Sequence, residues 1–246
     1  MSLEGPDDLA GLRRVGAAVA EARNAMEREA RPGVTTAALD EVGRDVLRKH
    51  GARSAPRLAY GFPGHTCISV NDAIAHGVPS SRCTLRDGDL VNVDVSAEIE
   101  GYWADTGASV PVGTVTPLLQ ALLVATRRAQ REAMAEARAG QPLHAIGRAV
   151  ERRAKLAGFR VVRDLAGHGV GRFIHEKPQV PNTFDPRDRT VLHEGLVLAI
   201  EPFLTTGATR VVQDDDGWTL RTPDGSIGAQ FEHTVVVTQG DPIVVT

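Results

Sequence analysis

The sequence predicts an α+β fold composed of two similar halves. Helical periodicity and short strand-like runs alternate along the 246 residues in the order helix pair, hairpin, helix pair, hairpin. No linker or low-complexity segment separates the halves, although their sequences do not repeat. The clearest strand lies near the middle of the chain, where valines alternate with polar residues over residues 91–96. We therefore expect residues 1–246 to form one domain in which helices cover an antiparallel sheet.

The first half is predicted to contain two helices and a hairpin. The first helix covers residues 6–30, and the second begins at Thr35 or Thr36, which can cap its amino end, and stops at Gly51. A glycine- and proline-rich segment, residues 59–65, leads into an apolar strand at residues 67–70. The hairpin follows at residues 90–110.

The second half is predicted to have the same order of elements. Thr116-Pro117 is typical of a helix start, so we expect a helix up to Gly140, and another over residues 142–158. The segment around residues 166–176 contains too many glycines for a helix. Strands are expected at residues 159–162, 196–204, 209–213, 217–221 and 231–237.

The composition argues against nucleic-acid-binding, membrane-spanning and disulfide-rich proteins. The 28 basic and 31 acidic residues leave a formal charge of −3, which gives no electrostatic footprint for nucleic acid. No stretch reaches the roughly 18 apolar residues that a membrane helix needs, so we expect no membrane partner. The first thirteen residues do not resemble a signal peptide, and the two cysteines do not form a disulfide framework. A cytoplasmic location is therefore expected.

Two aspartates of the central hairpin are candidate metal ligands. If the turn is centred on residues 99–100, Asp94 lies directly opposite Asp105. If it is centred on residues 100–101, Asp105 faces Ser96 and lies diagonal to Asp94. In either register the two carboxylates share one face and repel each other, which a divalent cation would relieve. The hairpin alone is equally consistent with two solvated aspartates.

Three residues of the second half strengthen the metal interpretation. His168 lies between glycines in Gly167-His168-Gly169, where the backbone can approach another group closely. Glu201 and Glu232 each lie in an otherwise apolar strand, where an unpaired carboxylate would be costly. A hydrogen-bonded structural role would explain one such glutamate, whereas two of them, a histidine and the aspartate pair favour a shared metal site.

These residues occur in motifs that resemble those of the bacterial type I methionine aminopeptidases. The resemblance covers nearly the whole chain, and its motifs are SVNDAIAHGVP at residues 69–79, VNVDV at 91–95, GYWADT at 101–106, GHGVG at 167–171 followed by HE at 175–176, IEP at 200–202 and FEHT at 231–234. It implies the pseudo-two-fold pita-bread fold, an antiparallel sheet backed by two helix pairs, as a single catalytic domain over residues 1–246.

The resemblance also implies an activity and a cofactor. The enzyme would remove the N-terminal methionine from nascent proteins when the next residue is small, by hydrolysis with a bridging water on two divalent metal ions. Asp94 would bind one metal, His168 and Glu201 the other, and Asp105 and Glu232 both. Four carboxylates and one imidazole suit manganese, iron or cobalt, and zinc could substitute.

Further residues would bind and cleave the substrate. His76 would interact with the scissile amide nitrogen, His175 with the carbonyl oxygen, and Glu201 would act as the base. The same resemblance places a methionine pocket between residues that suit a polarisable thioether. These are Phe62, Cys67, Phe173 and Trp218.

Two residues depart from the family pattern, and two alternative functions are compatible with the same fold. Ala59 replaces a frequent tyrosine and Ala104 a usual glycine, which could widen the pocket or shift Asp105. A proline-specific peptidase would use the same five ligands but usually carries an additional N-terminal domain. A binding protein of the same fold would typically have lost ligands. We expect a monomer whose partners are the N-termini of nascent chains at the ribosome.

Overall fold

The structure, a computed structural model, describes residues 1–246. Its helices are α1 (Pro6–Glu29), α2 (Thr36–Lys49), α3 (Ala55–Tyr60), α4 (Pro117–Ala135) and α5 (His144–Ala157). Strands of the first half are β1 (Arg53–Ser54), β2 (Cys67–Val70), β3 (Ala73–Ala75), β4 (Leu90–Ile99) and β5 (Tyr102–Pro111). Those of the second half are β6 (Arg160–Val161), β7 (Ala166–Gly169), β8 (Glu176–Pro181), β9 (Val197–Ile200), β10 (Phe203–Thr205), β11 (Val212–Gln213), β12 (Leu220–Arg221), β13 (Gly228–Gln230), β14 (His233–Val236) and β15 (Ile243–Val244).

The predicted α+β class is confirmed, and the helix starts follow the predicted caps. The Thr35 hydroxyl accepts a hydrogen bond from Ala38 N at 3.2 Å, and α2 begins at the next residue. Helix α4 ends at Ala135, before the predicted Gly140, because backbone amides that follow it donate to other segments of the chain. Ala139 N donates to Thr238 O and Gly140 N to Leu192 O, both at 2.8 Å. The short helix α3 was not predicted.

Each half places two helices against one antiparallel sheet. In the first half, β4 pairs with β1, β2 and β5, and the valines of β4 pack on α1 and α2 in one buried cluster. In the second half, the sheet order is β15-β14-β9-β7-β8, with α4 and α5 in the adjoining cluster. The strand alternation therefore leaves Asn92, Asp94 and Ser96 on the face of β4 that points away from its helices.

The halves meet where β5 approaches the start of β14. Glu232 N donates to Gly107 O at 2.8 Å, and Gly107 N donates back at 3.4 Å. A Cβ atom at Gly107 would lie only 2.3 Å from Gln230 Oε1, so a side chain at this position would displace the Gln230 amide. The sheets of the two halves thus meet beside Glu232.

Both ends of the chain cross between the halves. Residues 1–3 pair with residues 195–197, since Leu3 N donates to Gly195 O and Val197 N to Met1 O, each at 2.9 Å. Val245 in turn packs against α1, where a Cβ atom at Gly16 would lie 2.3 Å from the Val245 carbonyl oxygen. None of the helices has the length and apolar character needed to cross a membrane.

Candidate metal centre

The register of the central hairpin determines how its two aspartates meet. Ile99 pairs with Tyr102, so the turn is centred on Glu100 and Gly101, which have φ angles of 51° and 83°. Asp105 consequently lies opposite Ser96, diagonal to Asp94. This is the second of the two predicted registers.

The second half brings its three candidate ligands to the same place. His168 lies in β7, Glu201 directly follows β9 and Glu232 directly precedes β14. The His168 Nε2 atom is 3.5 Å from Glu201 Oε1 and 3.9 Å from Asp105 Oδ2. Ligand atoms of Asp105, His168 and Glu232 all lie within 4.8 Å of one another. Residues more than 120 positions apart in sequence are thus brought together by the junction of the two halves.

His168 has the protonation state and orientation of a neutral metal ligand. Its Nδ1 is 3.0 Å from Gly169 O, which assigns the proton to that nitrogen and leaves the Nε2 lone pair facing the carboxylates. Burial, with the neighbouring His175, lowers the pKa of His168 to about 3. A neutral imidazole oriented by a backbone carbonyl is the form that binds divalent metals.

The four carboxylates lie in a desolvated site, and two of them, Asp105 and Glu232, are buried. Burial raises the pKa of Asp105 to about 6. Burial, followed by repulsion from the other carboxylates, raises the pKa values of Asp94, Glu201 and Glu232 well above their ordinary range. No lysine or arginine lines the adjoining cavity. Such a cluster requires either bound protons or a bound cation.

One oxygen atom in this cluster has no partner. Glu232 is 1% exposed, and its Oε2 accepts a hydrogen bond from Gln230 Nε2 at 3.0 Å. Its Oε1 is buried and has no hydrogen-bond donor. A buried carboxylate oxygen without a donor is costly unless a ligand binds it. This oxygen and the carboxylate-imidazole donor set therefore fit divalent metal ions.

A second layer of polar residues holds the ligands. Asn92 Nδ2 donates to Gln230 Oε1 at 2.8 Å, which orients the Gln230 amide toward Glu232. Thr106 N donates to Asp105 Oδ1 at 2.9 Å. Gln230 and Asn92 were not predicted. Asn92 lies two residues before Asp94 and hence on the same face of β4, whereas Gln230 ends β13 and Glu232 lies in the connection to β14.

A cavity of about 270 Å³ opens onto the carboxylates. It is lined by Pro56, Tyr60, Phe62, Cys67, His76, Asp94, Ser96, Asp105, His168, Ile174, His175, Glu201 and Trp218. Every predicted site residue except Phe173 and Glu232 is among them, and Glu232 is buried beside Asp105 and His168. Three larger concavities, of about 610, 570 and 340 Å³, contain none of the predicted site residues.

Phe173, which is predicted as a pocket residue, is not among the residues that line the cavity. A hydrogen bond from Gly171 N to Phe173 O, 3.2 Å long, reverses the chain and places Phe173 on the outer side, 42% exposed. Its ring packs at 5.2 Å from that of Trp103. The next residue, Ile174, is 2% exposed and lines the cavity instead.

The two alanine departures lie outside the cavity wall. Ala59 packs partly buried against the cluster that contains Trp103, and the adjacent Tyr60 lines the cavity in its place. Ala104 is fully buried in the first-half core, on the face of β5 opposite Asp105. Neither alanine therefore enlarges the space around the carboxylates directly.

Two further histidines face this space. His76 has a φ of 53°, unusual for a residue other than glycine, and the following Gly77 packs tightly against Ile68 O. Desolvation lowers the pKa of His76 although solvent reaches its side chain through the cavity. Desolvation, then His76, lowers the pKa of His175 to about 4. The Tyr60 hydroxyl lies 2.6 Å from His175 Nδ1 and fixes that ring. Both pKa shifts favour the neutral form of the imidazole.

Known proteins have similar sequences and the same architecture. The model of metallopeptidase family M24 matches residues 10–239. Methionine aminopeptidase 2 of Bacillus subtilis (strain 168) is 46% identical over 247 residues, covering 100% of this chain and 99% of that protein. The crystal structure of methionine aminopeptidase from Thermotoga maritima superposes with a TM-score of 0.96 at 34% identity, covering 100% of this chain and 99% of that one.

A more distant similarity concerns the fold alone. Prolidase from Pyrococcus furiosus has a TM-score of 0.77 at 22% identity, and the match covers 99% of this chain but 65% of that one. The same architecture of two helix-backed halves therefore occurs in a longer protein. The pita-bread fold expected from the sequence motifs is confirmed by these superpositions.

Proposed function

This chain belongs to metallopeptidase family M24 and resembles its methionine aminopeptidases over its whole length, and on that premise we propose that it removes N-terminal methionine from polypeptides whose second residue is small. The observation that supports this most directly is the cluster of four desolvated carboxylates and one neutral imidazole at the cavity. The cavity is of a size for one or two amino-acid residues, since pockets for drug-sized ligands typically span about 300–1,000 Å³.

Two divalent ions, manganese, iron or cobalt, with zinc as a possible substitute, are proposed to bind in this cluster. The residues that would hold them are Asp94, Asp105, His168, Glu201 and Glu232. When bound, the two ions supply a water of lowered pKa and polarise the scissile carbonyl group. The unpartnered Glu232 Oε1 and the oriented lone pair of His168 support this assignment.

Three side chains are proposed to handle protons and orient the peptide. Glu201, which lies in a desolvated site beside His168, would accept the proton of the attacking water. His76 donates a hydrogen bond toward the scissile nitrogen, which needs a proton as it becomes an amine. His175, with Nδ1 fixed by Tyr60, presents Nε2 to the carbonyl oxygen.

The aromatic part of the cavity is proposed to hold the methionine side chain. The rings of Phe62 and Trp218 are 5.2 Å apart and nearly perpendicular, and Cys67 lies opposite Asp94 on the same strand face. Aromatic edges and a thiol provide a polarisable surface for a thioether. Burial raises the pKa of Cys67 well above its usual range, so it remains a neutral thiol.

The cellular setting is part of the same proposal. We expect residues 1–246 to act as one catalytic domain and as a monomer in the cytoplasm, on the N-termini of nascent chains at the ribosome. An exposed, flexible N-terminus fits the limited volume of the cavity, whereas a folded segment does not.

The proposal is tested by metal content and activity on the same preparations. Purified protein should bind about two divalent ions per chain, and it should cleave Met-Ala-Ser at least roughly tenfold faster than Met-Leu-Ser, about 1.4 kcal/mol of transition-state free energy. One ion per chain would refute the dinuclear centre, and equal rates would indicate a broad aminopeptidase. Faster cleavage of Xaa-Pro peptides would instead indicate a proline-specific enzyme of the same fold.

A further inference from the structure

A second cavity lies beside the junction of the two halves, between α1, α4 and the approach of β5 to the start of β14. Its volume is about 240 Å³. Three arginines line it, Arg23 from α1 and Arg127 and Arg131 from α4, so it is here called the arginine cavity. It shares no lining residue with the cavity of the metal centre and is therefore a separate space.

The positive charges in the wall of the arginine cavity exceed the negative ones. Glu27 provides the one carboxylate in the wall, and its Oε1 atom is 3.1 Å from Arg23 Nε. Arg127 and Arg131 form no ion pair with a carboxylate, although they lie four residues apart on one helix, where like charges repel each other. The wall therefore carries at least two positive charges for which the protein supplies no counterion.

Two hydrogen-bond donors of the wall lack a good acceptor. The Nε atom of Arg23 is buried and makes no hydrogen bond, because its approach to Glu27 does not have hydrogen-bond geometry. Gln130, which also lines the cavity, is 3% exposed, and its amide donates only to Met134 Sδ, at 3.6 Å. A thioether is a weak acceptor. Since buried donors without acceptors are costly, a ligand with several acceptor atoms would stabilise this arrangement.

Two of the guanidinium groups are held in place by neighbouring side chains. The guanidinium of Arg127 lies over the ring of Phe231, 4.6 Å from the ring centroid. Arg23 Nη1 donates to Thr106 Oγ1, which in turn donates to Glu232 O at 3.0 Å. A ligand therefore meets groups that are already ordered, which reduces the entropy lost on binding.

The chemistry and size of the cavity define the class of ligand. Guanidinium groups form paired hydrogen bonds with the oxygens of phosphate and carboxylate groups. A phosphate group carries a charge of about −1.5 to −2 at pH 7, which matches the excess positive charge of the wall better than a single carboxylate does. A volume of about 240 Å³ is below the roughly 300–1,000 Å³ that is typical of pockets for drug-sized molecules, so the cavity suits a small anion.

We propose that the arginine cavity binds a small phosphate dianion, either inorganic phosphate or the phosphate group of a small phosphomonoester. Arg23, Arg127 and Arg131 bind the phosphate oxygens, and the Gln130 amide donates a further hydrogen bond. Arg127 and Arg131 are exposed, so the anion enters from solvent. The proposal does not depend on the proposed peptidase activity, because none of these residues lines the cavity of the metal centre.

Isothermal titration calorimetry of the metal-loaded full chain, freed of unbound metal ions, measures the binding of inorganic phosphate and of glycerol 3-phosphate. The test variant combines Arg127→Gln and Arg131→Gln, and it should fold because both side chains are exposed. The control variant combines Arg13→Gln and Arg128→Gln. It removes the same charge from exposed positions of α1 and α4 that do not line the cavity. Circular dichroism verifies the fold of each variant.

We expect the Kd for phosphate to rise at least about tenfold in the test variant and to stay within about twofold in the control, because only the former loses charge-assisted hydrogen bonds. Lysine at positions 127 and 131 should restore only part of the affinity, since it keeps the charge but not the planar fork. Whichever of the two probes binds more tightly identifies the form of phosphate that the cavity accepts.

Three results would overturn the proposal. The first is no measurable binding of either phosphate probe to the unsubstituted chain, and the second is equally tight binding of acetate, which would contradict selection of a dianion. The third is an equal Kd in the test and control variants, as would be found if phosphate bound only to the metal ions.

Discussion

Replacing Asp105 with asparagine should stabilise the metal-free protein at neutral pH. Burial raises the pKa of Asp105 from 3.8 to about 6, a difference of about 2 units. Each unit corresponds to about 1.36 kcal/mol, so ionising this carboxyl group at pH 7 costs the folded state about 3 kcal/mol. Asparagine keeps the shape and can still accept the hydrogen bond from Thr106 N. It therefore removes the cost without leaving a cavity.

The free energy of unfolding of the metal-free protein should decrease as pH rises, because the folded state binds protons more tightly than the unfolded chain does. Between about pH 4 and pH 6 the folded protein binds more protons at Asp105 than the unfolded chain does, so its stability is lost as pH rises through this window. The asparagine variant does not titrate there. The free energy of unfolding of the two proteins should agree near pH 4 and differ by about 3 kcal/mol at pH 7, with the variant more stable.

Urea denaturation in the presence of a chelator, repeated from pH 4 to pH 7.5, measures this difference. The control is Asp8→Asn. Asp8 accepts hydrogen bonds from Glu4 N and the Tyr102 hydroxyl, which hold its pKa below the ordinary value, so its replacement should destabilise the protein at pH 7. Adding metal should stabilise the unsubstituted protein and not the Asp105 variant. Parallel pH curves for the two chelated proteins would show that Asp105 is not desolvated and would refute the reasoning.

Three other substitutions test the site. His76→Ala should retain two metals and the fold but lose at least roughly a hundredfold in kcat/KM, and loss of metal would make His76 a ligand instead. Gly107→Ala should weaken metal binding, measured by titration, because its methyl group would displace Gln230 from the Glu232 ligand, while Gly5→Ala, in open space, should have no effect. Ala59→Tyr should leave the ratio of rates on methionine and norleucine substrates unchanged, since position 59 does not line the cavity, and a changed ratio would contradict that placement.

Sequence patterns predicted the site residues that lie on regular strands. Asp94 and Asp105 follow from alternation, because a period of two fixes which face a side chain occupies. The register between them could not be predicted, because it depends on whether Glu100 takes a positive φ, and a glutamate carries no strong signal for that conformation. Both registers agreed with the hydrophobic pattern, so only the tertiary structure distinguishes them.

Residues on irregular segments were predicted less well. Phe173 and Ile174 are neighbours in a loop without periodicity, so the sequence does not indicate which of them faces the cavity. Helix α3 has six residues, too few for an apolar period to be visible, and it supplies the unpredicted cavity residues Pro56 and Tyr60. The family resemblance implied roles for residues at matching positions. It did not indicate which of two adjacent loop residues faces the cavity.

The crossing of the two chain ends makes the halves dependent on each other. Residues 1–3 pair with residues 195–197 at the start of β9 in the second half, and Val245 contacts α1 in the first. A cut in the connection near Gly113 would therefore give two fragments that each lack a piece held by the other. Such fragments should be poorly folded alone and should associate when mixed. Two of the five proposed ligands lie in the first fragment and three in the second, so metal binding would report the association of the fragments.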